Sequence, residues 1–94
     1  MTSSIQDRVA AVEALLANQV ELPPPAVRAR LRRVSGLTQT DVGEAIGVTR
    51  IQVHRWESGE SDPRNPNRAL YAHLLNGLAE KYPQILEEEA SVSP

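Results

Sequence analysis

The sequence contains no cysteine. That removes disulfides, thiolate catalysis and every cysteine-type zinc site together. Its two histidines, His54 and His73, fall in different predicted helices, so no metal-ligand cluster can be drawn and no cofactor is expected. No apolar run approaches the ~20 residues of a membrane-spanning helix. The first residues, MTSSIQDRVA, lack the basic and then apolar segment of an export signal, so a cytoplasmic location is the expectation. No glycine-rich phosphate loop precedes a helix, and the serines and threonines have no histidine motif beside them. Glu87, Glu88 and Glu89 are consecutive, so their carboxylates point around a helix and cannot pair as general acid and base; they read as a solvated tail. An enzyme is not expected.

Ninety-four residues suit one small domain, and 40% hydrophobic with 23% charged residues argues against wholesale disorder. The net charge of −2 argues on its face against nucleic acid, but the charge is unevenly placed. Residues 26–68 hold eight arginines against five acidic residues. Residues 1–25 hold one basic against three acidic residues, and residues 69–94 one against four. A basic centre lies between acidic ends.

That centre contains Leu37 to Gly59, where apolar residues at Leu37, Val42, Ile46, Val48, Val53 and Trp56 sort into two short helical patterns meeting at Gly47. Thr38 is a good N-cap, and Asp41 three residues on can return the bond as a capping box. The second pattern starts at Thr49 and stops at Ser58-Gly59, where glycine can take the left-handed conformation that closes a helix. Two helices joined through Gly47 and Val48, with no room for a wide loop, must cross steeply and share one small core. This is a helix-turn-helix.

Gln39, Gly43, Gly47, Val48, Val53, Trp56-Glu57 and Gly59, with Leu31-Arg32 and Gly36-Leu37-Thr38-Gln39 upstream, resemble the helix-turn-helix of the Cro and phage-repressor type, the xenobiotic-response-element family. The resemblance covers roughly residues 26 to 80. It implies an all-α, lambda-repressor-like domain of about four core helices, here preceded by an extra amphipathic helix. It also implies that Arg32 bonds Glu57 as a buried structural pair, and that Gln39 donates to a phosphate at the positive end of its helix. A further helix follows the fourth in many members; none is clearly available here, although QILEEEA after Pro83 could add a turn or two, and the N-terminal helix is a candidate to take its place in the core.

Three segments are expected: an amphipathic helix within 1–22, a DNA-binding domain over 26–82 and an acidic tail over 83–94. In the first, Ser4 can cap a helix with a stripe of Ile5, Val9, Val12, Leu15, Leu16 and Val20. That stripe either packs on its own domain or meets a second protein, the same helix of another copy included. Pro23-Pro24-Pro25 then makes a stiff hinge, with Pro25 opening the next helix. Over 25–35 the pattern puts Val27, Leu31 and Val34 inward and Arg28, Arg30 and Arg33 outward, on a face that is either simply solvated or turned to phosphates. Residues 60–67 read as a loop. Asn65 and Pro66 look like the cap and first turn of a helix to about Tyr82, with Leu70, Leu74, Leu75 and Leu78 inward and Tyr71 and Tyr82 marginal.

The helix over 49–58 fits the ~12 Å major groove. Val53 and Trp56 face inward with Val48. Outside remain Thr49, Arg50, Ile51, Gln52, His54 and Arg55. The family pattern points to Arg50, Ile51, His54 and Arg55 as base-contacting residues, and arginine is the natural bidentate reader of guanine. His54 reads equally as a simply exposed polar residue, and Ile51 departs from the polar residue usual there, which suits either a thymine methyl or a different use of this surface. Thr38, Gln39, Thr49, Gln52 and Arg64 are the phosphate-contacting candidates, the threonines being caps first. Arg68 is open between a phosphate and Glu60 or Asp62. The implied function is sequence-specific binding of double-stranded DNA as a homodimer, in transcriptional regulation and repression. The alternative is an antitoxin-like or adaptor protein acting mainly through protein contacts, with the N-terminal helix on its partner.

Overall fold

A computed structural model describes residues 4–17 and 20–92, which form six helices and no strand among them. Helix α1 spans Ile5–Ala17, α2 Pro25–Val34, α3 Gln39–Ile46, α4 Arg50–Ser58, α5 Asn67–Lys81 and α6 Pro83–Val92. One core joins the last five. It contains Val27 and Leu31 of α2, Val42 of α3, Val53 and Trp56 of α4, Tyr71, Leu75 and Leu78 of α5, and Ile85 of α6.

The helix ends follow local chemistry. Thr38 Oγ1 accepts from the Asp41 amide at 3.0 Å while the Asp41 carboxylate accepts from the Thr38 amide at 2.9 Å, which closes the capping box on α3. Those bonds favour the ionised form and hold the Asp41 carboxyl below its usual range. Thr49 caps α4 through the Gln52 amide at 3.1 Å. Between the two helices, Gly47 takes φ +96°, and the Gly47 and Val48 amides both donate to the Gly43 carbonyl, at 2.7 and 2.8 Å. The corner also needs Gly43 to be bare. A Cβ there would lie 2.7 Å from the Val48 carbonyl oxygen, so backbone packs directly on backbone where the chain turns.

The buried arc of α2 is rotated from the expected one. Val34 is 40% exposed, while Arg28, expected outward, is 4% exposed. Its guanidinium donates to the Pro23 carbonyl at 2.7 Å, the Trp56 carbonyl at 3.0 Å and Asp62 Oδ1 at 2.8 Å. Arg28 is therefore a core cross-link between the proline segment, the end of α4 and the following loop, and its phosphate-facing assignment is corrected. The same rotation affects α5. Leu70 is 49% exposed, and Tyr71, expected at the margin, is 1% exposed and lies 4.8 Å from the Trp56 ring, centroid to centroid. Burial pushes the Tyr71 hydroxyl pKa upward.

Helix α5 begins at Asn67 with Pro66 before it and no side-chain cap, so Asn65 is not its N-cap; the Asn65 amide donates instead to the Ala14 carbonyl at 3.2 Å. Arg68 bonds neither Glu60 nor Asp62 but the Val20 carbonyl, at 2.7 Å. The segment expected as a tail contains α6. Ile85 enters the core, and Glu88 pairs with Arg30 of α2. So a helix after α5 exists, and the N-terminal helix does not replace it: Ile5, Val9, Val12, Leu15 and Leu16 are all exposed, and Val20 lies beyond the end of α1.

Stability measurements follow from these contacts. Gly43→Ala is expected to lower thermal stability by about 2 kcal/mol through overpacking. Gly77→Ala, in helix α5 where a Cβ meets nothing within 4 Å, is expected to raise it by about 0.5–1 kcal/mol. Arg28→Met strands two carbonyls and is expected to cost about 2–3 kcal/mol, a Tm loss of roughly 10 °C. Asp62→Asn, at a half-exposed acceptor, should cost less than about 1 kcal/mol. Melting curves of the four variants check all of these.

Candidate nucleic-acid interface

Helix α4 is fixed from one side and open on the other. Val53 and Trp56 are fully buried on its inner face. Between them and its outer face, at the end of the helix, sits Glu57. Its Oε2 accepts from Arg32 Nε at 2.5 Å, and its Oε1 accepts from an Arg32 terminal nitrogen and from Gln39 Nε2, both at 3.0 Å. The two charged side chains are 14% and 6% exposed, so the pair is largely desolvated. A bidentate guanidinium–carboxylate geometry of this kind is strong, and the bond raises the Arg32 pKa further above its already high value. Arg32 also donates to the Leu37 carbonyl at 3.0 Å, at the junction of α2 and α3.

Gln39 thus has an engaged amide nitrogen rather than a free one, and the same nitrogen stands 3.5 Å from His54 Nδ1. The side chain is oriented by α4 before any ligand arrives. Sequence spacing does not reveal this bond, since Gln39 and Glu57 are 18 residues apart. The one available signal is that two polar residues at matched places on neighbouring helices have hydrogen-bonding capacity to share.

The outer face of α4 presents Arg50, Ile51, His54 and Arg55, all exposed, with Gln52 half-buried beside them. Ile51 is 55% exposed, an apolar side chain held in water by a helix whose inner face is well buried. Arg50 makes no ion pair or hydrogen bond among the described residues. Arg55 Nε lies 3.8 Å from Glu60 Oε2, with both side chains more than half exposed, so this pair is weak and easily exchanged for another acceptor. Thr38 and Thr49 have their hydroxyls committed to caps and their chains exposed at the N-termini of α3 and α4. Arg64 is exposed in the loop before α5. Of the arginines on α2, Arg33 is exposed, whereas Arg28 and Arg30 have partners inside the protein.

Among the described residues, no group of three or more His, Cys, Asp and Glu side chains could hold a metal ion, and no helix is long and apolar enough to cross a membrane. An open groove of about 350 Å³ lies between the proline segment, Leu31, Leu75, Ala79 and Leu86, away from the outer face of α4. It brings no titratable cluster together.

Residues 29–80, more than half of the chain, match the protein family described as Helix-turn-helix. No curated protein and no solved structure matches the chain.

Glu57→Ala is expected to leave the Arg32 charge buried with one carbonyl for company and the Gln39 amide without an acceptor. The cost should be about 3 kcal/mol, a fall in Tm of at least roughly 10 °C. Glu57→Gln, which retains one acceptor, should cost less. Thermal denaturation of both variants measures the pair, and an unchanged Tm in Glu57→Ala would remove it from the account of the fold.

Proposed function

The chain belongs to the Cro/C1-type helix-turn-helix family of DNA-binding proteins, and on that premise we propose that it is a transcriptional regulator that binds double-stranded DNA sequence-specifically, as a homodimer, with α4 in the major groove. The observation that carries this reading is the division of α4. Its inner residues and Glu57 are locked into the domain, while Arg50, Ile51, His54 and Arg55 project without firm partners. A rigid helix with unengaged outer side chains is what base reading requires, because side chains already committed to the fold cannot form new bonds without breaking old ones.

Arg50 is the first base reader and Arg55 the second, each suited to guanine O6 and N7; Arg55 exchanges its weak contact with Glu60 for the base. Ile51 rests on a thymine methyl, and His54 adds a contact one turn on. Thr38, Gln39, Thr49, Gln52 and Arg64 position the domain on phosphates, with Gln39 held by Glu57 in the orientation it needs. The DNA-binding unit then runs from about residue 26 through α6. Two such units on half-sites about 10 bp apart, or a multiple, give the affinity that one helix alone lacks. Exposure of the α1 stripe favours a second reading, an antitoxin-like or adaptor protein that works mainly through protein contacts.

Selection from a random double-stranded pool, run on the wild type and on Arg50→Ala/Arg55→Ala, separates the two. The expected result is an enriched motif of two related half-sites that is lost in the double variant. A wild type that enriches nothing at low salt, where phosphate contacts are strongest, overturns the DNA reading and leaves the second.

A further inference from the structure

Helix α1 meets its own domain only near and just beyond its C-terminal end among the described hydrogen bonds. The Asn65 amide reaches the carbonyl of Ala14, and Arg68 reaches the Val20 carbonyl just beyond the helix. Both contacts are polar. At about 100° per residue, Ala14 lies nearly opposite the line through Ile5, Val9, Val12 and Leu16. Every residue of α1 from Ile5 to Leu16 is exposed, the four seam side chains at 48% to 78%, so the domain leaves the apolar seam uncovered.

The seam is spaced four, three and four residues apart, the alternation of the d and a positions of a heptad. Assigned that way, Val9 and Leu16 are a residues and Ile5 and Val12 are d residues. Arg8 then occupies a g position and Glu13 the following e position. Five residues apart, these two cannot meet on one helix, where ion pairs form at spacings of three and four. Across a parallel pair of the same helix, however, g of one strand faces the next e of the other, so Arg8 meets Glu13 twice by symmetry. Both side chains are exposed and flank the seam.

We propose that the partner of α1 is a second copy of α1, in parallel register, with Ile5, Val9, Val12 and Leu16 as the seam and reciprocal Arg8–Glu13 pairs fixing orientation. The occupant follows from charge: the flanks of this helix complement themselves. Two heptads form a short seam, so association in free solution is weak. On a duplex, neighbouring half-sites hold two copies at roughly millimolar effective concentration, and the same seam then suffices. That last step rests on the DNA-binding reading above; the pairing of α1 does not.

The test is made on the full chain without DNA, so that its failure is separate from failure of DNA binding. Sedimentation equilibrium up to millimolar protein compares wild type, Arg8→Glu, Glu13→Arg and their equimolar mixture. Each single variant puts like charges on both sides of the seam, and self-association should weaken about tenfold; in the mixture, a pair made of one Arg8→Glu chain and one Glu13→Arg chain has opposite charges on both flanks again, and association should recover. Ile5→Cys in this cysteine-free chain should cross-link into a dimer on oxidation, since d residues face each other only in the parallel arrangement. A wild type that stays monomeric throughout, a dimer indifferent to both charge reversals, or failure of Ile5→Cys to cross-link overturns the proposal. Unchanged melting curves in the single variants confirm that the domain itself is intact.

Discussion

Both oxygens of the Glu57 carboxylate are used inside the protein, one by Arg32 and the other shared between Arg32 and Gln39. A single acidic side chain at the end of α4 is thereby tied to the last turn of α2 and the first residue of α3. Apolar packing alone leaves short helices of eight to ten residues free to slide and rotate by small amounts, since burial has no direction. A desolvated bidentate pair does have direction, and its cost when misaligned is high. The position of the outer face of α4 is therefore set by groups on the inner side of the domain, away from any proposed contact with bases.

The second constraint is at the corner between α3 and α4. With Gly43 bare and its carbonyl accepting two amides, the turn occupies the least space that backbone permits. Arg28 acts in a similar way on the far end of α4, where it takes the Trp56 carbonyl that the helix would otherwise leave unpaired. So α4 is secured at its start by Thr49 and the corner, and toward its end by Glu57 and Arg28. What is left over is a face with few obligations.

Features that depend on neighbours in sequence were legible in it. Thr38 with Asp41, Gly47, Thr49 and Gly59 each act within a turn of their own position, and the two short helices form where those residues place them. Features that depend on what lies across the core were not. Arg28 reads as outward because arginine usually is, and only the presence of three acceptors around it reverses that. Tyr71 and Leu70 exchange places because α5 presents to Trp56 the arc through Tyr71, Leu75 and Leu78 rather than the leucine-rich one. Helix α6 was obscured by Pro83, which reads as a stop after α5 although proline is equally at home as the start of a new helix. At the candidate interface, the exposed residues of α4 follow from periodicity, whereas the Arg32–Glu57 pair came only through resemblance and the Gln39 bond not at all.

The stretch of residues 20–24 that leads into α2 is held by two arginines, Arg68 on the Val20 carbonyl and Arg28 on the Pro23 carbonyl. Both acceptors are backbone oxygens, which every amino acid supplies. Substitution of the side chains at Val20 and Glu21 is therefore compatible with an unaltered course for the segment, whereas Leu22 packs against the core and loss of either arginine removes a clamp. Drift in this strap and retention of its two clamps can coexist, and the clamps lie 48 and five residues away from the atoms they hold.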